Sequence, residues 1–189
     1  PFQESHAYYL LLEYKDNNQT LGAERFESAL FEQLESGLID DALIAQSHQD
    51  ADKFWQIRDG IGELFQVLGP VSNQDVSLPL EQIGPFADDL DQRLKAKYNN
   101  IGVLLFGHIG DNNLHVCAYT GRDKDKARIN EDIMLIIGEY AGAITAEHGI
   151  GVLKRDFLAL SRTPSEIALM KTLKMAMDPK GILNPKRVI

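Results

Sequence analysis

The chain is 189 residues long with 44% hydrophobic and 25% charged residues, which suits one large or two small globular domains and excludes a disordered, collagen-like or low-complexity polypeptide. Lys and Arg total 19 against 28 Asp and Glu, a formal charge of −9 that repels phosphate backbones and anionic lipid, so nucleic acid is not an expected partner. The longest apolar runs, such as Tyr8 to Leu12 and Val103 to Phe106, are far shorter than the ~20 residues that cross a bilayer. Cys117, the single cysteine, forbids an internal disulfide and fits a reducing compartment, so a cytoplasmic location is expected.

His6 to Tyr14 carries a β-rich apolar run that stops at Lys15-Asp16-Asn17-Asn18, the pattern of a buried strand ending in a turn. Thr20 precedes a helix with Phe26, Leu30, Phe31 and Leu34 at helical spacing, closed by Gly37. Ala42 to Gln46 is a short predicted strand. Asp50 to Val67 reads as a helix with Phe54, Ile57, Ile61, Leu64 and Phe65 on one stripe, ended by Gly69-Pro70. A third strand, Asp75 to Leu78, stops at Pro79, and Pro85 to Tyr98 makes a polar-faced helix. Ile101 to Phe106 is a strand dense in Val and Leu, followed by a loop from Gly107 to Asn113 and a strand from Leu114 to Tyr119. Asp123 to Tyr140 is the next helix. Helix signals recur at Val152 to Leu160 and at Ser165 to Met177, before a turn-rich tail marked by Asp178-Pro179, Gly181 and Asn184-Pro185. This order predicts an α+β fold with helices on one face of a mainly antiparallel sheet, ferredoxin-like in its simplest arrangement, plus a helical C-terminal tail.

The most informative stretch is Gly107-His108-Ile109-Gly110-Asp111-Asn112-Asn113-Leu114-His115. Gly, Asp and two Asn between the histidines break any helix, so His108 ends one strand and His115 opens the next, at the same end of the sheet. Imidazole is a common ligand for zinc, iron or manganese, and two histidines need at least one further donor. Histidine beside Asp and Asn also serves simply to satisfy turn hydrogen bonds, and spacing alone leaves both readings open. A second cluster, Thr145-Ala146-Glu147-His148-Gly149-Ile150-Gly151, sets an acid beside a histidine between small residues. Adjacent side chains on extended backbone face opposite ways, so a metal ligand and a base can be neighbours; a strand end with a glycine turn is the plainer alternative. The glycines lack the GxGxxG spacing of a dinucleotide cradle. Arg58, mid-helix in Phe54-Trp55-Gln56-Ile57-Arg58-Asp59, is a candidate for bidentate pairing with a carboxylate, though such arginines commonly line a solvated face. Cys117, within an apolar strand, reads as packing.

Together these segments resemble the C-terminal part of the FAD-linked oxidases of the vanillyl-alcohol oxidase superfamily, in particular those acting as D-2-hydroxyacid dehydrogenases on substrates such as D-lactate, D-2-hydroxyglutarate and glycolate. The resemblance is carried by the two histidine motifs, by Lys154 after the second, by the ending Asp178-Pro179-Lys180-Gly181-Ile182-Leu183-Asn184-Pro185, and upstream by Trp55-Gln56-Ile57-Arg58 and Asp75-Val76-Ser77-Leu78-Pro79. It implies that His108, His115 and Glu147 hold a divalent metal, zinc first with iron or manganese as alternatives, and that His148 is the base. It further implies that Arg58 binds the substrate carboxylate, that Asn184 lies beside the FAD, and that Asp111 supports a ligand histidine. The expected division is residues 1–141 as a substrate-binding or cap domain and 142–189 as a segment returning to an N-terminal flavin-binding domain that these 189 residues do not contain. The chain opens at Pro1 without Met, so a processed chain or part of a longer one is expected, binding no FAD tightly by itself. The expected partners are a small 2-hydroxy acid, the flavin domain and a second copy in a homodimer. Asn73, Cys117 and Gly62 depart from the polar residues of the hydroxyglutarate type, which leaves the implied substrate at a 2-hydroxy acid. The contrasting expectation is a non-catalytic metal-binding or assembly module of the same fold.

Overall fold

The computed structural model describes residues 2–189, apart from the side chain of Gln19. The chain divides into two compact units, Pro1–Gly62 and Glu63–Ile189.

In the first unit, α1 (Gln19–Glu35) starts where the Asn18 side chain accepts the Leu21 N–H, and α2 (His48–Asp59) where the Ser47 side chain accepts the Asp50 N–H. The strands expected at His6 to Tyr14 and Ala42 to Gln46 do not form. A strand is held by the ladder to its neighbour, and among the described residues no segment pairs with either run. Tyr8 and Leu10 accordingly stay exposed. The single helix expected from Asp50 to Val67 is interrupted at Gly60, beyond which α3 (Ile61–Leu68) begins; glycine is a weak helix former, and two stand here within three residues.

The second unit contains β1 (Ser72–Ser77), α4 (Leu80–Lys97), β2 (Gly102–Phe106), β3 (Asn113–Tyr119), α5 (Asp123–Glu139) and α6 (Pro164–Met177). The helix expected over Val152 to Leu160 is a turn followed by a 3-10 segment, Arg155–Leu160. The sheet is antiparallel in the order β1-β3-β2. After α5 the chain returns to the free side of β1 for one isolated bridge, Ser77 to Ala143. This is the β-α-β-β-α order of the ferredoxin-like arrangement, with the fourth strand reduced to a single pair.

Alternation along the strands sorts the side chains onto two faces. Val76, Leu114, Val116 and Ala118, with Val103 and Leu105, pack against Phe86, Leu90 and Leu94 of α4 and Ile129, Ile133, Ile136 and Ile137 of α5. Burial of each of these helix side chains contributes about 1.5–3 kcal/mol. Gln74 shares this face and donates its amide to Asn130 of α5, so the buried group is satisfied. The opposite face carries Asn73, Asp75, Cys117, His115, Leu104 and Phe106. No helix among the described residues is long and apolar enough to cross a membrane.

Candidate active site

Three strands set Asp75, His115 and Phe106 side by side, since Asp75 and Phe106 are both register partners of His115. The Phe106 ring stacks on the imidazole at 5.0 Å between centroids and 16° between planes. His115 is therefore held by packing as well as by the ladder. Its Nδ1 is buried without a hydrogen bond, while Nε2 lies 3.7 Å from Glu147 Oε1. Burial is the largest influence on its pKa and lowers it; Asp75 and Glu147 pull the other way, His148 and His108 add to the lowering, and the net direction is down. A neutral imidazole with an available lone pair is the form a metal requires.

Glu147 and His148 arrive on the loop that follows the Ser77 to Ala143 bridge. One oxygen of Asp75, Oδ2, accepts hydrogen bonds from the Thr145 hydroxyl at 3.1 Å and from the backbone N–H groups of Ala146 at 3.1 Å, Glu147 at 2.9 Å and His148 at 2.9 Å. Burial alone pushes the Asp75 carboxyl up, and these donors outweigh it and hold the group below the usual aspartate range. Gly149 then turns the chain at φ 78, a left-handed conformation that favours glycine. Lys154 reaches back into the same region and donates to the carbonyl oxygens of Asp75 at 2.9 Å and Ile144 at 2.8 Å; burial lowers its pKa more than Asp75 raises it.

His148 Nε2 lies 3.6 Å from Glu147 Oε1, and its ring centre is 5.4 Å from that of His115. Ligand atoms of His115, Glu147 and His148 all fall within 4.8 Å of one another. Two imidazoles and a carboxylate suit zinc, iron or manganese, and the His115 nitrogen turned toward Glu147 is Nε2.

Among the described residues His108, the other expected metal ligand, is not one of this group. His108 is exposed at the start of a 3-10 turn, Ile109–Asp111, where its carbonyl oxygen accepts from Asp111 N and Asn113 N. It is still near enough to depress the His115 pKa. Asp111 accepts from Asn113 N at 3.4 Å. Arg58 stands in the last turn of α2, in the first unit, and pairs with Asp59 at 3.1 Å. Asn184 is exposed at φ 45, its carbonyl oxygen accepting from Arg187 N. Cys117 is buried, donates to Asn73 Oδ1 at 3.3 Å, and has its thiol pushed up to about 12 by burial, so it is packing and not a thiolate.

Asp75 is the site residue that reading motifs for chemistry passes over. The available signal is a charge in a strand whose neighbours Val76 and Leu78 are core residues, because a buried carboxylate requires partners.

The chain matches the family described as FAD linked oxidases, C-terminal domain, over residues 1–188. It is 39% identical over 191 residues to the mitochondrial D-2-hydroxyglutarate dehydrogenase of Arabidopsis thaliana, aligning 100% of this chain with 34% of that protein. The corresponding figures for D-2-hydroxyglutarate dehydrogenase of Stutzerimonas stutzeri are 35% over 198 residues, 100% and 42%. A Schizosaccharomyces pombe protein named for mitochondrial D-lactate dehydrogenase is 32% identical over 200 residues, with 100% of this chain matching 38% of its length. The chain thus spans between about a third and two fifths of these curated relatives. Coverage by the family, the α+β architecture and the grouped His115, Glu147 and His148 lead to one conclusion: this chain belongs to the FAD-linked oxidases, as their C-terminal domain.

Proposed function

We propose that this domain supplies the metal- and substrate-binding side of an FAD-dependent dehydrogenase that oxidises a D-2-hydroxy acid to the 2-keto acid. The observation that carries the reading is the approach of His115 Nε2 to Glu147 Oε1, 3.7 Å apart at one end of the sheet, with the His148 imidazole beside them. His115 and Glu147 would hold a divalent cation, with His108 from the preceding loop as the third donor. When bound, such an ion acidifies the α-hydroxyl and orients it together with the carboxylate. The flavin, held by a domain outside this chain, supplies the acceptor for two electrons and the Cα hydrogen, and Asn184 in the exposed tail is this chain's contribution beside it.

His148 Nε2 takes the hydroxyl proton as the carbonyl forms. Glu147 Oε1 lies 3.6 Å from the same nitrogen. Along the same face, the next cross-strand pair is Asn73 and Cys117, a neutral pair whose thiol and amide oxygen satisfy each other at 3.3 Å. It presents no cation to a second carboxylate, and the substrate class is left at a 2-hydroxy acid.

The test uses the full-length protein, with metal content measured beside turnover of D- and L-lactate and D-2-hydroxyglutarate. His115→Ala loses metal and activity. His148→Ala keeps metal and loses about 100-fold or more in kcat, within the usual contribution of a general base. A second reading, favoured by the mutual proximity of the three ligand atoms, makes His148 itself a donor; loss of metal in His148→Ala selects it. Unchanged turnover in both variants selects the non-catalytic module.

A further inference from the structure

We propose that Asp75 is a positioning residue of the metal site, fixing the backbone of residues 145–148, and with it Glu147 and His148, against the strand that carries His115. The inference rests on the metal-site reading above. Three successive N–H groups converging on one oxygen form an anion-binding concavity, and the anion that fills it is the protein's own side chain. The Thr145 hydroxyl closes the same oxygen from the side. Turn and strand are joined a second time through Lys154, whose ammonium ties the Asp75 carbonyl to that of Ile144 just before the loop. Asp75 is thus held to the loop by its side chain and by its main chain.

Its other relation is across the sheet, where Asp75 and His115 are register partners and their side chains share a face. The carboxylate oxygen that the loop does not use, Oδ1, and the imidazole nitrogen that does not face Glu147, Nδ1, are both buried without a hydrogen bond. Ligating imidazoles commonly give their second N–H to a carboxylate, which sets tautomer and ring orientation. Asp75 thus ties the loop to β1 through Oδ2 and lies beside His115 across the ladder, with Oδ1 left unbonded.

The experiment titrates metal-free full-length protein with Co2+, reading affinity and the visible d–d spectrum, and records the thermal midpoint of each metal-free variant. Asp75→Asn keeps the shape and removes the charge. We expect its Co2+ affinity to fall by about 10- to 100-fold, as for lost support of a metal ligand, and its spectrum to shift as the donors rearrange. Thr145→Val removes one donor of the four and produces a smaller change of the same sign. A folded Asp75→Asn protein with wild-type affinity and spectrum overturns the proposal, because a merely structural role lowers the thermal midpoint and leaves both readings alone. If Asp75→Asn does not fold, Thr145→Val decides: a weakened, shifted complex supports the role and an unchanged one refutes it. Failure of the wild-type protein to take up Co2+ overturns the metal-site reading itself, an outcome separable from one confined to the variants.

Discussion

The two units have similar proportions of apolar residues and use them to very different effect. Tyr8 to Leu12 in the first is as unbroken an apolar run as Val103 to Phe106 in the second, yet the former stays out of any strand and the latter lies in β2. The second unit contains the whole of the main core, including fully buried Phe86, Leu90, Ile133 and Met134; among the described residues of the first, Gly22 alone is buried. The difference lies in partners. A hairpin and two long helices give β2 and β3 neighbours on the edge and on the face, and apolar character becomes stability only when both are supplied. The candidate metal ligands sit on the unit that has them.

The sharpest test of this contrast compares two phenylalanines. Phe86→Ala is expected to destabilise the protein by about 3–5 kcal/mol, the usual cost of emptying a core position, whereas Phe31→Ala on exposed α1 stays within about 0.5 kcal/mol. Urea unfolding measures both, and equal losses would break the comparison. Next comes Gly107→Ala, where a Cβ would overlap the Asn113 carbonyl at the mouth of the hairpin. A loss of about 1–3 kcal/mol is expected, accompanied by weaker metal binding because β3 carries His115. Thr163→Ala removes the hydroxyl that accepts the Glu166 N–H in the capping box of α6, with an expected loss of about 1 kcal/mol in the same assay.

The smallest effect concerns acid. Asp178 is held below the usual carboxylate range, first by Lys174, against the opposing effect of burial, and then by the Leu183 and Ile182 N–H groups. Its folded pKa is depressed, so the stability it contributes is present above the unfolded value of ~3.9 and is lost as pH falls through the folded value. Asp178→Asn should therefore flatten the acid limb of a stability-versus-pH curve; an unchanged limb would remove Asp178 from the account of the tail.

Much of the site was legible in the sequence because its signals are local. Gly107 to Asn113 reads as a turn, which brings His108 and His115 to one end of the sheet, and the order of β1, α4, β2, β3 and α5 follows from runs and breakers. The start of β1 was hidden because Ser72, Asn73 and Gln74 are polar, and only pairing with Ala118, Cys117 and Val116 makes them strand. Asp75 was hidden for a related reason: its partners lie 70 to 73 residues away and are mainly backbone N–H groups, which have no residue signature. The expectation for His6 to Tyr14 failed in the opposite direction, with a strong local pattern and no partner to realise it.

The bridge between Ser77 and Ala143 closes with two hydrogen bonds, Ser77 N to Ala143 O at 3.1 Å and Ala143 N to Ser77 O at 2.7 Å, and the sheet goes no further. Beyond it, the segment bearing Glu147 and His148 is fastened to β1 by side chains and not by rungs, through Asp75 Oδ2 and the Lys154 ammonium. Side-chain exchanges at residues 146 to 148 can reshape the chemistry while the backbone N–H groups still satisfy buried Asp75, whereas insertions would displace those donors. A library confined to the side chains of residues 146, 147, 148 and 150 leaves those backbone donors and the left-handed Gly149 and Gly151 in place, and would retain folded members.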